Sequence, residues 1–224
     1  MAHRHPASRL PPGPDLRGRW VLTVSRTGGL RERKKAETRR TIQEHALRLF
    51  LSKGYDSTTV QEISSAAGVS HMTFFRYFPT KEAVVESDDY DPLIAELIRR
   101  RPLDEKPLTA LHRALSEGLA RIYDADRDVL LTRTRLVLTT PALRARMTDN
   151  QYATERLFTE ALAARGATSR GHNDVTLELR VQAAAALAAL TVALSAWVQS
   201  DGAEQLPALV DRAFRALRQQ QPDR

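Results

Sequence analysis

The sequence predicts an all-α protein with an N-terminal helix-turn-helix domain followed by a helical-bundle domain. Helix start and stop signals recur along the chain, whereas alternating β-type runs flanked by hairpin turns are missing. Between residues 31 and 85 three helices of about 20, 9 and 7 residues are expected, the last two joined by a tight turn. These proportions indicate the first domain, and residues 86–224 form the second.

The composition of the 224 residues, 42% apolar and 27% charged, is typical of a globular protein that buries a core. The absence of cysteine excludes disulfides, thiolate metal sites and cysteine nucleophiles, and it suits a cytoplasmic location. The longest uncharged run, residues 181–198, is mostly alanine, so a packed helix is favoured over a membrane span.

The net charge of +7 lies in the N-terminal segment, because residues 1–35 hold nine basic and two acidic side chains and the remainder is neutral. Residues 1–30 also contain four prolines and four glycines without apolar periodicity, which predicts a disordered basic arm. Such an arm indicates a polyanionic partner, and charge alone does not distinguish DNA from an anionic membrane surface. An over-extended start of the chain is the alternative interpretation.

Capping signals position the helices of the first domain. Apolar residues at helical spacing predict a helix that begins near Arg31 and is ended by Gly54. Thr59 and Glu62 have the spacing of a capping box, and Ser70 and Thr80 are predicted to cap the two helices that follow.

In the second domain, proline after a capping residue marks helix starts at Asp91-Pro92, Lys106-Pro107 and Thr140-Pro141. Glycine at positions 166 and 202 is predicted to end helices. The expected helices are Pro92 to Arg101, Pro107 to Tyr123, Asp128 to Leu138, Pro141 to Arg165, Asp174 to Ser200 and Ala203 to Gln219.

The turn between the second and third helices carries the chemistry of DNA reading. Gly68 suits a positive φ, Val69 is expected to fill the gap between the helices, and Ser70 leaves a polar helix start. His71 and its neighbours Met72 and Thr73 then occupy the first turn of a recognition helix, the part that reaches base edges.

The motif of residues 58–63, 66–70 and 73–82, TTVQEI, AAGVS and TFFRYFPTKE, resembles the signature of the tetracycline-repressor (TetR) family of bacterial regulators. The resemblance implies helical homodimers with a C-terminal domain that binds a small effector. It also implies backbone contacts with DNA by Thr59, Ser70, Tyr77 and Lys81, and places His71, Met72, Thr73 and Arg76 at the groove. Phe75 stands where the family usually has tyrosine, and Phe74 and Phe78 are expected in the core.

The second domain resembles the TetR subgroup that includes mycofactocin-system regulators, through its DDYD junction at residues 88–91 and the TRTRL stretch at 132–136. That resemblance implies an acyl-CoA-like effector, with Arg133 and Arg135 as candidates for a phosphate. Leu111 and Leu115 lie on an apolar helix face and are candidates to line the pocket. Ordinary core packing is the alternative for the leucines, and solvation or ion pairing is the alternative for the arginines.

The alanine-rich helix at residues 174–200 and the helix after it occupy the position of the family's dimerising four-helix bundle. Alanines such as Ala189 would permit close approach of a second subunit, and Leu187 and Trp197 belong to an apolar stripe. A monomer in which this helix is internal core is the alternative.

These features predict a homodimeric, ligand-responsive transcriptional repressor that binds a pseudo-palindromic operator. No catalytic motif, metal-ligand spacing or cofactor-binding loop is present in the sequence, so the protein is not expected to be an enzyme. The alternative function is that of a nucleoid-type protein that binds DNA independently of its sequence and has no effector.

Overall fold

The computed structural model describes residues 29–86, 90–170 and 175–219. These residues form nine α-helices and no strand, which confirms the predicted fold class. The helices are α1 Leu30–Lys53, α2 Val60–Ala66, α3 His71–Tyr77, α4 Lys81–Glu86, α5 Tyr90–Arg99, α6 Pro107–Thr139, α7 Pro141–Arg170, α8 Leu177–Gln199 and α9 Leu206–Gln219. Of the predicted basic arm, all but the last two positions lie outside the described residues.

The predicted caps form at the N-terminal helices. Thr59 and Glu62 make a complete capping box at α2, and the Ser70 side chain accepts a hydrogen bond from the Thr73 backbone N–H at α3. Thr80 Oγ1 accepts a hydrogen bond of 3.1 Å from the Ala83 N–H at the start of α4. Each cap satisfies a backbone donor that the first turn of a helix leaves free, which is why these short helices begin where they do.

Helices α1 to α4 enclose one hydrophobic core. Its buried side chains come from all four helices and from the turn after α1, and include Ile42, Phe50, Tyr55, Ile63, Phe74, Phe78 and Val84. Leu143 of α7 joins this core, and Leu136 and Val137 of α6 pack against it. The unit formed by α1 to α4, which contains the helix-turn-helix and is named the DNA-binding unit, therefore packs against the junction between α6 and α7, the α6–α7 elbow.

Two hydrogen bonds also hold α4 at this junction. Gln43 Nε2 of α1 donates to the Val84 carbonyl at 3.2 Å, and Arg133 Nε of α6 donates to the Val85 carbonyl at 2.7 Å. The Arg133 guanidinium also lies over the Tyr90 ring, 5.6 Å from its centroid.

Helices α5 to α9 form a bundle around a second core. Its largest fully buried side chains are Trp197, Phe158, Phe214, Ile98, Leu111, Leu115 and Leu206. Helix α8 packs against α6, α7 and α9, so it contributes to the centre of the bundle. By length and composition it is the one helix among the described residues that could cross a membrane, and 33% of its apolar stretch is buried within the bundle.

Several predicted helix boundaries in the second domain were wrong, and α8 and α9 each begin three residues later than expected, at Leu177 and Leu206. The predicted break after Tyr123 is absent, and α6 continues to Thr139. A hydrogen bond of 2.9 Å from Arg127 Nε to the Tyr123 hydroxyl, one helical turn earlier, spans the position of the expected break. Helix α7 continues through Gly166 to Arg170. Asp91 does not cap α5, because the helix already begins at Tyr90 and the Asp91 carboxylate accepts a hydrogen bond from Thr154 of α7.

The faces of α8 require a correction to the predicted dimer contacts. Ala183, Ala186, Ala189 and Ala193 face the chain's own core, together with Leu187 and Trp197. Ala189 is therefore not available to a second subunit. An exposed apolar stripe instead runs along the helix through Val181, Ala184, Ala188 and Val192.

Candidate nucleic-acid interface

Helix α3 separates its residues into an inner and an outer face. Phe74, like Phe78 just after the helix, is fully buried, as the sequence predicted. His71, Met72, Phe75 and Arg76 are exposed on the other side. The spacing 71, 72, 75 and 76 places these four side chains on one helix face, because an α-helix turns once every 3.6 residues.

The turn before α3 has the predicted geometry. Gly68 has φ +66°, a left-handed conformation that strains residues with a side chain. Its N–H donates to the Ser65 carbonyl at 3.1 Å, and the Val69 N–H donates to the Ser64 carbonyl at 3.0 Å. Val69 packs against the core of the DNA-binding unit, so the turn fixes α3 against α2.

Ser70 and Thr73 form a hydroxyl pair at the start of α3. The Ser70 hydroxyl donates to Thr73 Oγ1 at 2.9 Å and accepts the Thr73 backbone N–H at 3.1 Å. Both side chains are therefore held in place beside His71, at the end of the helix that is predicted to approach DNA.

Thr59 is held in a similar way at the start of α2. Its backbone N–H and its hydroxyl both donate to Glu62 Oε2 at 2.9 Å. Glu62 also pairs with Lys53 at the end of α1. The hydrogen bond from Lys53, followed by those from Thr59, lowers the pKa of Glu62 to about 2, so the carboxylate is ionised at neutral pH.

Lys81 faces inward in this structure. Its ammonium donates to the Tyr55 carbonyl at 3.0 Å and to the Thr58 carbonyl at 3.2 Å, and it lies 4.2 Å from the centroid of the Tyr55 ring. The Tyr55 hydroxyl in turn donates to Glu82 at 2.6 Å. This network, which the sequence did not reveal because it joins residues distant along the chain, supports the α1–α2 turn that carries Thr59.

Exposed cations lie on α3 and on the N-terminal half of α1, where Glu32 and Glu37 are exposed among them. Arg76 is exposed, with its guanidinium 5.5 Å from the centroid of the half-buried Tyr77 ring. The first turns of α1 add an exposed group of cations that the sequence analysis assigned mainly to the arm: Arg31, Arg33, Lys34, Lys35 and Arg40. A surface of this charge suits a phosphate backbone.

The four predicted effector residues do not meet at one site. Leu111 and Leu115 are fully buried in the core of the second domain. Arg133 lies at the domain junction, and Arg135 pairs with Asp201 after α8. Leu111 and Arg133 are separated along α6 by about 33 Å, since each residue of a helix rises about 1.5 Å.

Two other features of the second domain are relevant to ligand binding. An open cleft of about 210 Å³ lies between α7 and α8, lined by Gln151, Tyr152, Glu155, Ala184 and Leu187. Among the described residues, three buried side-chain atoms have no hydrogen-bond partner: Ser116 Oγ of α6 and Gln182 Oε1 and Trp197 Nε1 of α8. The described residues contain no group of three or more histidine, aspartate or glutamate side chains that could hold a metal ion.

Comparison with known proteins identifies the family. The family model for the MftR C-terminal domain matches residues 105–222, and that for bacterial regulatory proteins of the tetR family matches residues 42–87. The chain belongs to the TetR family of transcriptional regulators. Its second half carries a C-terminal domain of the MftR type, as the resemblance implied.

Individual relatives of this TetR-family regulator are also named as transcriptional regulators. The transcriptional regulator TcmR of Streptomyces glaucescens is 35% identical over 144 residues, which cover 61% of this chain and 64% of TcmR. The putative mycofactocin biosynthesis regulator MftR of Mycobacterium tuberculosis is 30% identical over 117 residues, covering 50% of this chain and 58% of MftR. The chain thus spans less than two thirds of the length of these relatives.

Among solved structures, FadR from Bacillus subtilis in complex with stearoyl-CoA shares the fold with a TM-score of 0.52. It is 21% identical, and the match covers 80% of this TetR-family chain and 96% of that chain.

Proposed function

We propose that this protein is a repressor that binds a pseudo-palindromic operator as a homodimer and releases it when an apolar or acyl-CoA-like effector binds. The observation that carries the proposal is the outer face of α3, where His71, Met72 and Arg76 are exposed beside a capped helix start. In helix-turn-helix proteins the N-terminal residues of the recognition helix read base edges. Thr59, Ser70 and Tyr77 are proposed to contact the backbone.

Homodimer formation is supported by the exposed stripe of α8. This stripe is an exposed apolar face of a helix that packs against α6, α7 and α9, and it consists of Val181, Ala184, Ala188 and Val192. Small residues permit close helix approach, and a second copy of the same helix would cover the stripe. A dimer is also what a pseudo-palindromic operator requires, because each half-site needs one recognition helix.

Effector binding within the second domain is supported by the unpaired atoms of Ser116, Gln182 and Trp197. A buried polar group without a partner costs about 1 to 3 kcal/mol, so a ligand that bonds to one of these atoms would be stabilised. Gln182 and Trp197 lie about 22 Å apart along α8, so a small ligand would meet only one of the two. The cleft beside Leu187 is smaller than the 300 to 1,000 Å³ or so that a drug-sized ligand occupies. An acyl chain would therefore have to separate α7 from α8.

The contacts of α4 support a route by which effector binding in the second domain changes DNA binding. The Arg133 hydrogen bond to the Val85 carbonyl and the packing of Leu136 and Leu143 tie the DNA-binding unit to α6 and α7. Movement of either helix would reorient α3. Effector and DNA would then favour different arrangements, which is the definition of allosteric coupling.

The experiment is selection of binding sites from a random DNA pool, followed by gel-shift titration of the enriched and random sequences. We expect an enriched pseudo-palindrome that is bound at least 1,000-fold or so more tightly than random DNA. His71→Ala should weaken binding to the enriched site selectively, while Ser52→Ala, an exposed change on α1, serves as the matched control. Equal affinity for all sequences would support the nucleoid-type alternative instead.

The same titration tests the effector. Stearoyl-CoA is the first probe because the FadR of the same fold was solved with it. We expect stearoyl-CoA to lower operator affinity and, in a Trp20→Phe variant that leaves Trp197 as the single tryptophan, to change the fluorescence, whereas coenzyme A alone should do neither. If stearoyl-CoA has no effect, a long-chain acyl-CoA effector is contradicted and DNA binding still stands.

A further inference from the structure

Two large apolar side chains are exposed on the recognition helix. Met72 is 81% exposed and Phe75 is 42% exposed, on the same outer face of α3 as His71. Neither side chain is needed for the core, which Phe74 fills from the inner face. Exposed apolar side chains beside a binding surface indicate the chemistry of the partner they meet.

Aromatic packing fixes the position of this apolar surface. The Phe75 ring stands edge-on to the buried Phe74 ring, with centroids 5.4 Å apart at 81°. The His71 ring stands edge-on to Phe75, with centroids 4.8 Å apart at 73°. Because Phe74 is anchored in the core, Phe75 is held in place and supports the His71 ring.

The charge around α3 identifies the class of partner. The helix sequence HMTFFRY contains no acidic residue, and the first turns of α1 contribute further exposed cations. This combination suits DNA and not another apolar protein surface. In the major groove of B-DNA the apolar group that a side chain meets is the C5-methyl of thymine.

We propose that Met72 selects a thymine in each operator half-site by contact with its C5-methyl group, and that Phe75 positions the neighbouring His71 on the same face. The inference rests on the proposed operator binding and specifies its chemistry. An unbranched thioether chain adapts to the shape of a methyl group, and a methyl contact needs no hydrogen-bond partner on the protein. The Thr73 hydroxyl, which accepts a hydrogen bond from Ser70, remains able to donate a hydrogen bond to a base or a phosphate.

The test replaces thymine by uracil, which removes the methyl group and leaves base pairing intact. Each thymine of the enriched site is replaced in turn, and affinity is measured by gel shift. For the wild-type protein we expect one thymine per half-site whose replacement weakens binding about fourfold, the factor that burial of one methyl group supplies. Replacement in both half-sites should weaken binding about fifteenfold.

Variants assign the contact to Met72. With Met72→Ala, uracil at that position should cause no further loss, whereas Met72→Leu should retain sensitivity to the methyl group. Leu51→Ala, an exposed apolar change at the end of α1, is the matched control and should respond to uracil as the wild type does.

Each outcome decides between the inference and the function on which it rests. An enriched operator that tolerates uracil at every thymine would overturn the inference and leave the proposed function intact. Unchanged uracil sensitivity in Met72→Ala would assign the methyl contact to another residue and would also overturn it. Failure to enrich any sequence would remove the operator itself, and the inference with it.

Discussion

At the scale of single residues, a side chain's partners in the fold decide what it can offer to DNA. His71 and Met72 are exposed and point away from the core, whereas the Lys81 ammonium already has two carbonyl acceptors and an aromatic ring beside it. The family resemblance assigns all three to DNA. The structure therefore suggests direct reading for the first two and a supporting role for Lys81.

Lys81→Met should test this supporting role. Loss of two charge-assisted hydrogen bonds should lower the free energy of unfolding by about 1 to 2 kcal/mol, measured by urea titration. Binding to operator and random DNA should weaken alike, because the turn that carries Thr59 loses its support. The salt dependence of binding should not change, since a side chain turned inward releases no counterion.

Lys34→Met, an exposed change on α1, is the matched control and should leave the unfolding free energy unaltered. A salt slope reduced by about one unit in Lys81→Met would contradict this expectation, and would establish the phosphate contact that the resemblance implied.

At the scale of helices, local signals predicted the structure wherever a cap decides a helix start. Thr59, Ser70 and Thr80 all cap as expected, because an N-cap needs only residues within the same turn. Gly54 and Gly68 likewise adopt the positive φ that their positions suggested. The first three helices of the DNA-binding unit and the exposed face of α3 were therefore predictable from the sequence.

Boundaries that depend on distant contacts were not predictable. Helix α6 passes the expected break because Arg127 bonds to Tyr123 and to the carbonyl of Gly202, far along the chain. Helix α7 continues through Gly166 beside Arg165, whose buried guanidinium donates to carbonyls of the α5–α6 turn. Tertiary packing outweighs the cost of one helical glycine, about 1 kcal/mol. The predicted effector residues failed to meet at one site for the same reason. The sequence shows which face of a helix is apolar, but it does not show which neighbouring helix packs against that face.

The pairing of α6 with α9 includes a titratable side chain, His112. His112 stacks on Phe214 with centroids 4.5 Å apart, and its ring nitrogens lie 2.8 Å from Asp211 and 3.1 Å from Arg218. Arginine only donates, so the nitrogen that faces Arg218 accepts and the other donates to Asp211. Burial, together with the charges of Arg218 and Arg113, lowers the pKa of His112 despite Asp211.

The sign of the pH effect follows from this lowered pKa. Below a pH of about 6.5 the unfolded chain binds a proton on His112 more readily than the folded chain does. The contribution of His112 to stability is therefore present above that pH and is lost as the pH falls through the lowered pKa. We expect His112→Gln to have a shallower decline in unfolding free energy between pH 7 and pH 5 than the wild type.

Urea titrations monitored by circular dichroism at several pH values measure this difference. His45, whose pKa is also lowered, chiefly by burial, stays in both proteins, so a residual decline is expected in the variant. Identical pH dependence in the two proteins would mean that the α6–α9 contact does not depend on the protonation of His112.

At the scale of the whole molecule, the chain carries two cores that meet at the α6–α7 elbow and an apolar stripe that no described part of the chain covers. Leu143 belongs to the first core although it lies on a helix of the second domain. The two units are therefore mechanically joined, and the stripe on α8 lies on the far side of α8 from its core-facing residues. A second subunit docked there would set the separation of two recognition helices through α6 and α7.

Val192→Arg is the variant that tests this arrangement. Val192 is 65% exposed, so the substitution should leave the fold of each subunit intact, unlike a change at the buried Ala189. An arginine placed where two copies of α8 meet closely would bury an unpaired cation, at a cost of several kcal/mol. The dimer should dissociate, as measured by analytical ultracentrifugation.

Loss of the dimer should also abolish specific DNA binding, although α3 is untouched. A pseudo-palindromic operator presents half-sites about 34 to 36 Å apart, and a monomer with one recognition helix makes only half of the contacts. Leu103→Arg, in the α5–α6 turn at 56% exposure, adds the same charge away from α8 and should remain dimeric with full operator affinity. A folded Val192→Arg protein that stays dimeric and binds the operator as the wild type does would place the interface elsewhere. The separation of the two recognition helices would then have to be set by a different surface.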